Sequence, residues 1–234
     1  LVFLNNEVDF DIIHINHKPI GEMILQMYPN TPAVMHVRSE VIPVYEEPII
    51  HPVIKKYISI RDSITEYIKG FGISEDLITH IDNPFDTTRF NTNYEPIKND
   101  REVVLFVGTH DYLRKAMLFD LVDKTREKNQ DLWLVGEHNS YVDELVDNKH
   151  VHYFGVVSDV ENYMKKCDYT AGIFNGRTTI EGFLCGKPAI IYYVDKEGNI
   201  LNSEIVEVPD DIEKYSATFS AKKVFILYKE TLSI

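Results

Sequence analysis

The stretch VHYFGVVSDVENYMKKCDYTAGIFNGRTTIEGFLCGKPAIIYYV, residues 151–194, decides the fold class. Three short apolar runs, VHYFG (151–155), YTAGIF (169–174) and AIIYYV (189–194), alternate with two helical segments. The runs show little polar alternation, which is the pattern of strands buried on both faces in a parallel sheet covered by helices. Ser158 and Glu161 have the spacing of a capping box ahead of Tyr163 and Met164. Residues 179–185 read as a helix stopped by Gly186, with Pro188 beyond it. Strand, helix, strand, helix, strand is the order of a doubly wound α/β sheet.

The same pattern extends outward. VVLFVG (103–108) and LWLVG (132–136) precede it, with a helix over 114–128 striped by Phe119, Leu121 and Val122 and a charged, solvated tail at 124–128. An earlier series comprises FDIIHI (10–15), PAVMHV (32–37), KYISI (56–60) and LITHI (77–81). In it, Ser63-Ile64-Thr65-Glu66 reads as a capping box and Gly70 as the left-handed residue closing that helix. The polar segment NTNYEPIKNDR (91–101), with Pro96 in its middle, separates the two series. The expected division is residues 1–95, residues 96–215, and a terminal stretch 216–234 whose amphipathic helix (220–232) packs back across the domains.

Composition narrows the function. The 234 residues are 44% hydrophobic and 26% charged, enough to bury a core, so disorder is excluded. A net charge of -13, from 37 acidic against 24 basic residues, argues against general nucleic-acid binding and against anionic membranes, unless one face carries a local basic patch. No stretch approaches the roughly 20 apolar residues of a spanning helix. Cys167 and Cys185 make neither a disulfide framework nor a zinc site and read as buried, reduced thiols of a cytoplasmic protein. The chain opens on Leu1; the apolar Leu1 to Leu4 is too short for a signal-peptide core, and the opening reads as mid-fold.

In parallel α/β sheets, ligands bind beyond the carboxyl ends of strands, where helix starts favour anions. After VVLFVG, Gly108 allows a tight turn, and Arg114 and Lys115 offer a planar fork and a point charge to a diphosphate. Taken alone, they equally fit an ordinary surface. After YTAGIF, Gly176 permits close approach, Arg177 adds charge, and Thr178 and Thr179 can cap the helix and present hydroxyls. Glu181, one turn in, can accept hydrogen bonds from a vicinal diol such as a ribose, or simply complement the helix dipole. At the third strand end, Gly155 and Val156 offer a backbone amide and carbonyl to the edge of a flat base. His14, His17 and His36, the last followed by Arg38, lie near strand ends as hydrogen-bond donors, proton carriers or satisfied structural residues, without a third ligand for a metal.

In order, these segments resemble the retaining GT-B glycosyltransferases of family 4. DIIHINH (11–17) resembles that family's DVIHAH strand, and PAVMHVRS (32–39) its strand ending in histidine. The stretch 56–90, closing on Asn83-Pro84-Phe85-Asp86-Thr87-Thr88-Arg89-Phe90, resembles the end of the family's first domain. FVGTHDYLRK (106–115) resembles the GR-x-x-x-KG loop, and residues 151–170 the V-x-F-x-G strand with the helix after it. TIEGFLCGKPAIIY (179–192) resembles the EAMA-x-G-x-PVI segment.

The resemblance implies a GT-B fold, two Rossmann-like parallel-sheet domains facing a cleft, the first incomplete. It implies transfer of a sugar, with retention, from a nucleotide diphosphate sugar to a glycan or lipid-linked acceptor. No cofactor or metal is expected, the nucleotide sugar being a co-substrate. By position, Gly108, Thr109, Arg114 and Lys115 meet the diphosphate, Gly155 and Val156 the base, and Glu181 the ribose. Asn175 through Arg177, Thr178 and Thr179 lie near the diphosphate and sugar, and His36 is the catalytic-side residue of the first domain. A cytoplasmic protein is implied, with peripheral membrane contact through the first domain allowed. Thr109 stands where the family has an arginine. Of the paired glutamates only the second, Glu181, is kept; Ile173 stands eight positions earlier, and Arg177 is a substitute. The competing readings are a degenerate nucleotide-sugar-binding scaffold and a GT-B nucleotide-sugar epimerase.

Overall fold

A computed structural model describes residues 9–40, 43–95, 98–174 and 176–232. It forms two compact units, one from the described residues up to Pro84 together with those from Lys214 onward, the other from Phe85 to Glu213.

The first unit runs β1 (Ile13–Ile15), α1 (Lys18–Met27), β2 (Ala33–Val37), α2 (Pro43–Glu46), β3 (Ile54–Ser59), α3 (Asp62–Lys69) and β4 (Ile78–His80). Its strands pair in parallel in the order β1-β2-β3-β4. Alternation along β2 divides the side chains between two faces. Ala33, Met35 and Val37 join Leu25, Ile64 and Ile68 in one core, while Val34 enters another with Ile58 and Ile81.

Two local expectations fail here. Helix α3 starts at Asp62, so Ser63 lies inside it and gives its hydroxyl to the Glu40 carboxylate at 2.9 Å. Gly70 is right-handed; the chain makes one more turn, through Phe71 N–H to Ile68 O and Gly72 N–H to Lys69 O, before Gly72 takes φ 78°.

The second unit continues with β5 (Val103–Val107), α4 (Tyr112–Glu127), β6 (Asp131–Val135), α5 (Val142–Leu145), β7 (Val151–Tyr153), α6 (Val160–Lys166), β8 (Tyr169–Ile173), α7 (Arg177–Leu184), β9 (Ala189–Val194) and β10 (Ile200–Val206). The sheet order is β10-β9-β8-β5-β6-β7, parallel except that β10 pairs antiparallel with β9. Val104, Phe106, Met117, Leu118, Leu121, Leu132 and Tyr192 lie at the centre of its core. Strand β10 is absent from the sequence reading because Asn202, Ser203 and Glu204 break any apolar run. The start of the supposed solvated tail is packed: Lys124 pairs with Asp120, donates to Ser203 Oγ, and lies over the Tyr192 ring.

Helix α6 starts after Asp159 with no side-chain cap, so Ser158 and Glu161 form no capping box. Both instead hold Arg89, which donates to the Ser158 carbonyl and pairs with Glu161. The same segment accounts for the division between the units, which falls at Pro84–Phe85 rather than at 95/96. Phe85 and Phe90 are buried, and the Tyr94 hydroxyl donates to the Cys185 carbonyl oxygen at 2.7 Å, so a polar stretch that reads as a linker is fastened to the second unit. Pro96 lies outside the described residues. The last helix, α8 (Ala217–Leu232), belongs with the first unit, where Leu227, Val224 and Tyr228 pack against Val34, Ile58 and Ile81. Among the described residues no helix is long and apolar enough to cross a membrane.

Candidate functional site

From β5 the second sheet grows through β6 and β7 to one side, and through β8, β9 and β10 to the other. The strand order therefore reverses between β5 and β8, the place where open α/β sheets bind ligands. The helices that follow these two strands, α4 and α7, both start there, and neither has a side-chain N-cap. Their leading N–H groups are thus left to favour an anion. The Thr178 hydroxyl donates to the Val107 carbonyl oxygen at 2.9 Å and ties the start of α7 to the end of β5.

Beside this point a cavity of about 340 Å³ opens over the carboxyl ends of β5, β6 and β7, lined by Gly108, Thr109, Gly136, Glu137, Val156 and Val157 among others. Its floor is backbone against backbone. Gly136 has φ 144°, and a Cβ there would stand 1.8 Å from the Gly108 carbonyl oxygen. Gly136 N–H donates to Gly155 O at 2.9 Å and Gly108 N–H to Val135 O at 3.0 Å, so three strand ends are locked together. Gly155, at φ 69°, takes a conformation that glycine adopts at little cost.

The two cations of α4 part company. Arg114 pairs with Asp111, and its Nε lies 3.8 Å from where a Gly108 side chain would begin, so it sits against the turn. Lys115 is held over the rings of Tyr141 at 5.6 Å and Phe119 at 5.9 Å.

At α7, Glu181 is buried and accepts from Arg177 Nε at 2.8 Å, while the Arg177 side chain is 81% exposed. Burial pushes the Glu181 carboxyl above the usual carboxylate range, with Arg177 and the more distant Arg89 acting against it. Thr179 departs from expectation. The N-cap is Gly176, without a side-chain cap, and Thr179 is buried against β8, its hydroxyl next to Gly172, because the helix starts earlier than the sequence suggests. Asn175 lies outside the described residues. Phe174, just past β8, has φ 53°, a rare conformation for a bulky side chain.

In the first unit, His14 of β1 and His36 of β2 share the sheet face covered by α8, their rings 5.6 Å apart. His14 Nδ1 bonds the Tyr228 hydroxyl, and the Nε2 atoms of both histidines are buried without a hydrogen-bond partner among the described residues. Burial first, then the nearness of His14 and Arg38, pulls His36 down to about 4, so its imidazole is neutral at ordinary pH. His17 stacks instead on Tyr45. Among the described residues, no group of three His, Cys, Asp or Glu side chains could hold a metal ion.

Sequence reasoning gave Gly136, Arg89 and Tyr228 no part in the site. Arg89 stands in the closing motif 83–90 and Tyr228 in the amphipathic pattern of the last helix, while Gly136 ends LWLVG as Gly108 ends VVLFVG, and glycines at neighbouring strand ends mark close backbone approach.

No protein-family model matches the chain. No curated protein matches it either. Solved structures do. HepE of Anabaena, in complex with UDP and glucose, superposes with a TM-score of 0.59 at 19% identity over 78% of this chain. The chain spans 59% of that HepE chain's length. A glycosyltransferase from Rickettsia africae aligns over 92% of this chain and 80% of its own, with a TM-score of 0.62 at 15% identity. The apo lipopolysaccharide outer core galactosyltransferase WaaB aligns over 97% and 72%, with a TM-score of 0.62 at 18% identity. The fold of this chain, two Rossmann-like α/β units, is thus the fold of GT-B glycosyltransferases.

Proposed function

We propose that the chain is a glycosyltransferase moving a sugar, with retention, from a nucleotide diphosphate sugar to a glycan or lipid-linked acceptor. The observation that carries this reading is the β5/β8 reversal point, where two uncapped helix starts lie beside a cavity, with Arg114 against the Gly108 turn that lines it and Glu181 buried one turn into α7. The diphosphate lies against the starts of α4 and α7, with Arg114 and Arg177 as its cations and Lys115 reaching it by leaving its aromatic rings. Glu181 accepts from the ribose hydroxyls, and the base enters the cavity at the Gly155–Val156 turn. Charge develops on the departing diphosphate, so preorganised cations and helix N-termini stabilise the transition state more than the ground state. The complexes of HepE with UDP and with UDP-glucose support the nucleotide-sugar part of the reading.

A thermal-shift and turnover panel across UDP, GDP and ADP sugars tests it. One nucleotide class at about 100 times its Kd is expected to stabilise the protein by about 2.7 kcal/mol, roughly 5–10 °C in Tm. Absence of both stabilisation and turnover with every nucleotide leaves the scaffold reading in its place.

His36 is assigned a role in turnover as a neutral hydrogen-bonding group. His36→Ala is expected to lower kcat roughly tenfold while changing nucleotide affinity far less. Equal losses in the two would make His36 a binding residue only. Because His36 is depressed to about 4, it gives the kcat profile no limb near pH 6.5. The unfolded chain takes up that proton first as pH falls. The stability His36 contributes by staying neutral is therefore lost between its unfolded value, roughly 6.5, and about 4.

A further inference from the structure

We propose that Arg89 is a positioning residue of the nucleotide site, holding the loop between β7 and α6 in the form that walls the cavity and setting a positive charge near Glu181. The inference rests on the nucleotide-sugar reading and adds a residue outside the contacts assigned there. The loop, residues 154–159, gives Val156 and Val157 to the cavity wall, and Val160 follows at the start of α6. It holds itself poorly. Gly155 takes φ 69°, Val156 is 74% exposed, and α6 has no side-chain cap. At one end Gly155 O accepts from Gly136 N–H, and at the other Asp159 O accepts from Asn162 N–H. The Ser158 carbonyl between them accepts from Arg89 at 3.2 Å, and the same guanidinium pairs with Glu161 in the first turn of α6.

Arg89 can act as an anchor because its own backbone is fixed. Phe85 and Phe90 are buried, Asp86 O accepts from Arg89 N–H at 3.2 Å, and the Asp86 carboxylate accepts the N–H and hydroxyl of Thr88 at 2.9 and 2.6 Å. The guanidinium lies over the Phe90 ring at 5.5 Å, and the two N–H bonds of its Nη2 serve the carbonyl and the carboxylate together. The Arg89 and Glu161 side chains are 44% and 20% exposed, and ion pairs so open to water add little to global stability. What this one fixes is local. Its charge also reaches Glu181, where Arg177 and Arg89 favour the carboxylate while burial and Glu161 oppose it. Cys185 faces Glu181 too, as a thiol that burial keeps protonated. One side chain thus bears on both the base turn and the ribose acceptor.

Arg89→Ala and Arg89→Lys are compared with the parent by amide hydrogen exchange without ligand, and by calorimetric titration with UDP, GDP and ADP from acidic to neutral pH. Arg89→Ala is expected to keep the parent's Tm to within about 3 °C. Exchange is expected to quicken at residues 156–160 and to stay unchanged in β5. Affinity for the nucleotide that binds is expected to fall about fivefold. Its further decline on acidification is expected to begin at a higher pH than in the parent, because Glu181 loses a cation and Glu161 loses its partner. Arg89→Lys keeps the charge and is expected to restore the parent's pH profile. Unchanged exchange in the loop overturns the proposal. So does faster exchange with the parent's affinity and pH profile, which makes Arg89 a structural tie alone. A parent that binds none of the three nucleotides removes the nucleotide-sugar reading and this assignment with it, whereas binding by the parent that Arg89→Ala matches removes the assignment only.

Discussion

Glu181→Ala is expected to weaken nucleotide-sugar binding by about 1.5–3 kcal/mol, roughly 10- to 150-fold in Kd, as for loss of a charged hydrogen-bond acceptor. The site makes the upper part of that range reasonable. The carboxyl is buried, so its hydrogen bonds to a ribose form where water competes poorly, and burial has already desolvated it before the ligand arrives. Its present partner, Arg177, is largely exposed and can turn towards phosphate without being left unpaired in the interior.

The pH dependence follows from the raised carboxyl. As pH falls through its elevated pKa, the group loses the charge that accepts the ribose hydroxyls, so nucleotide affinity declines at a higher pH than for an ordinary glutamate. The sign for folding is opposite. A raised carboxyl favours the folded state below its unfolded value and loses that contribution as pH rises through the folded value. Glu181→Gln is therefore expected to fold at neutral pH at least as stably as the parent while binding nucleotide more weakly. Calorimetric titration with the stabilising nucleotide reads the effect, and unaltered affinity in folded Glu181→Ala removes the ribose assignment.

Gly136→Ala is the substitution expected to cost most stability. The methyl group is directed at the Gly108 carbonyl oxygen from 1.8 Å, and backbone cannot rotate away as a side-chain end can. The φ of 144° adds strain for any residue with a Cβ. Relief requires separating the ends of β5 and β6, which breaks the Gly108 N–H bond to Val135 O, or displacing Gly136, which breaks its own N–H bond to Gly155 O; both close the cavity floor. A loss of about 3 kcal/mol, roughly 6–12 °C in Tm, is expected, together with weaker nucleotide binding. Gly72→Ala is the control: it also has positive φ but nothing lies within 4 Å of its added carbon, so its loss is expected to be smaller and to leave nucleotide affinity alone. Equal Tm values for Gly136→Ala and the parent would show that the two strand ends do not abut as described.

Much of this architecture was legible in the chain. Runs such as VVLFVG and AIIYYV became β5 and β9 with nearly the expected ends, because a strand buried on both faces must be apolar at consecutive positions. The helix ends were read less well. Ser63 and Ser158 have the spacing of caps, but a serine caps only if the helix starts at it, and here Glu40 takes the hydroxyl of Ser63. Strand β10 escaped notice because an edge strand with polar residues needs only a neighbour's backbone, which no local pattern records.

Within the candidate site, residue types and order single out Gly108, Arg114, Arg177 and Glu181 as candidates, since glycine, cation and carboxylate at strand ends are chemical choices written locally. Only the folded chain decided that Arg114 lies at the turn while Lys115 rests on Tyr141 and Phe119, that Thr178 bridges to Val107 while Thr179 is buried, and that Arg89 clasps Glu161. It also decided that α8 completes the first unit. The reason is physical: whether a position is buried on a strand or helix follows from neighbours a few residues away. The partner of a side chain depends instead on strand order and register, which bring together residues dozens of positions apart.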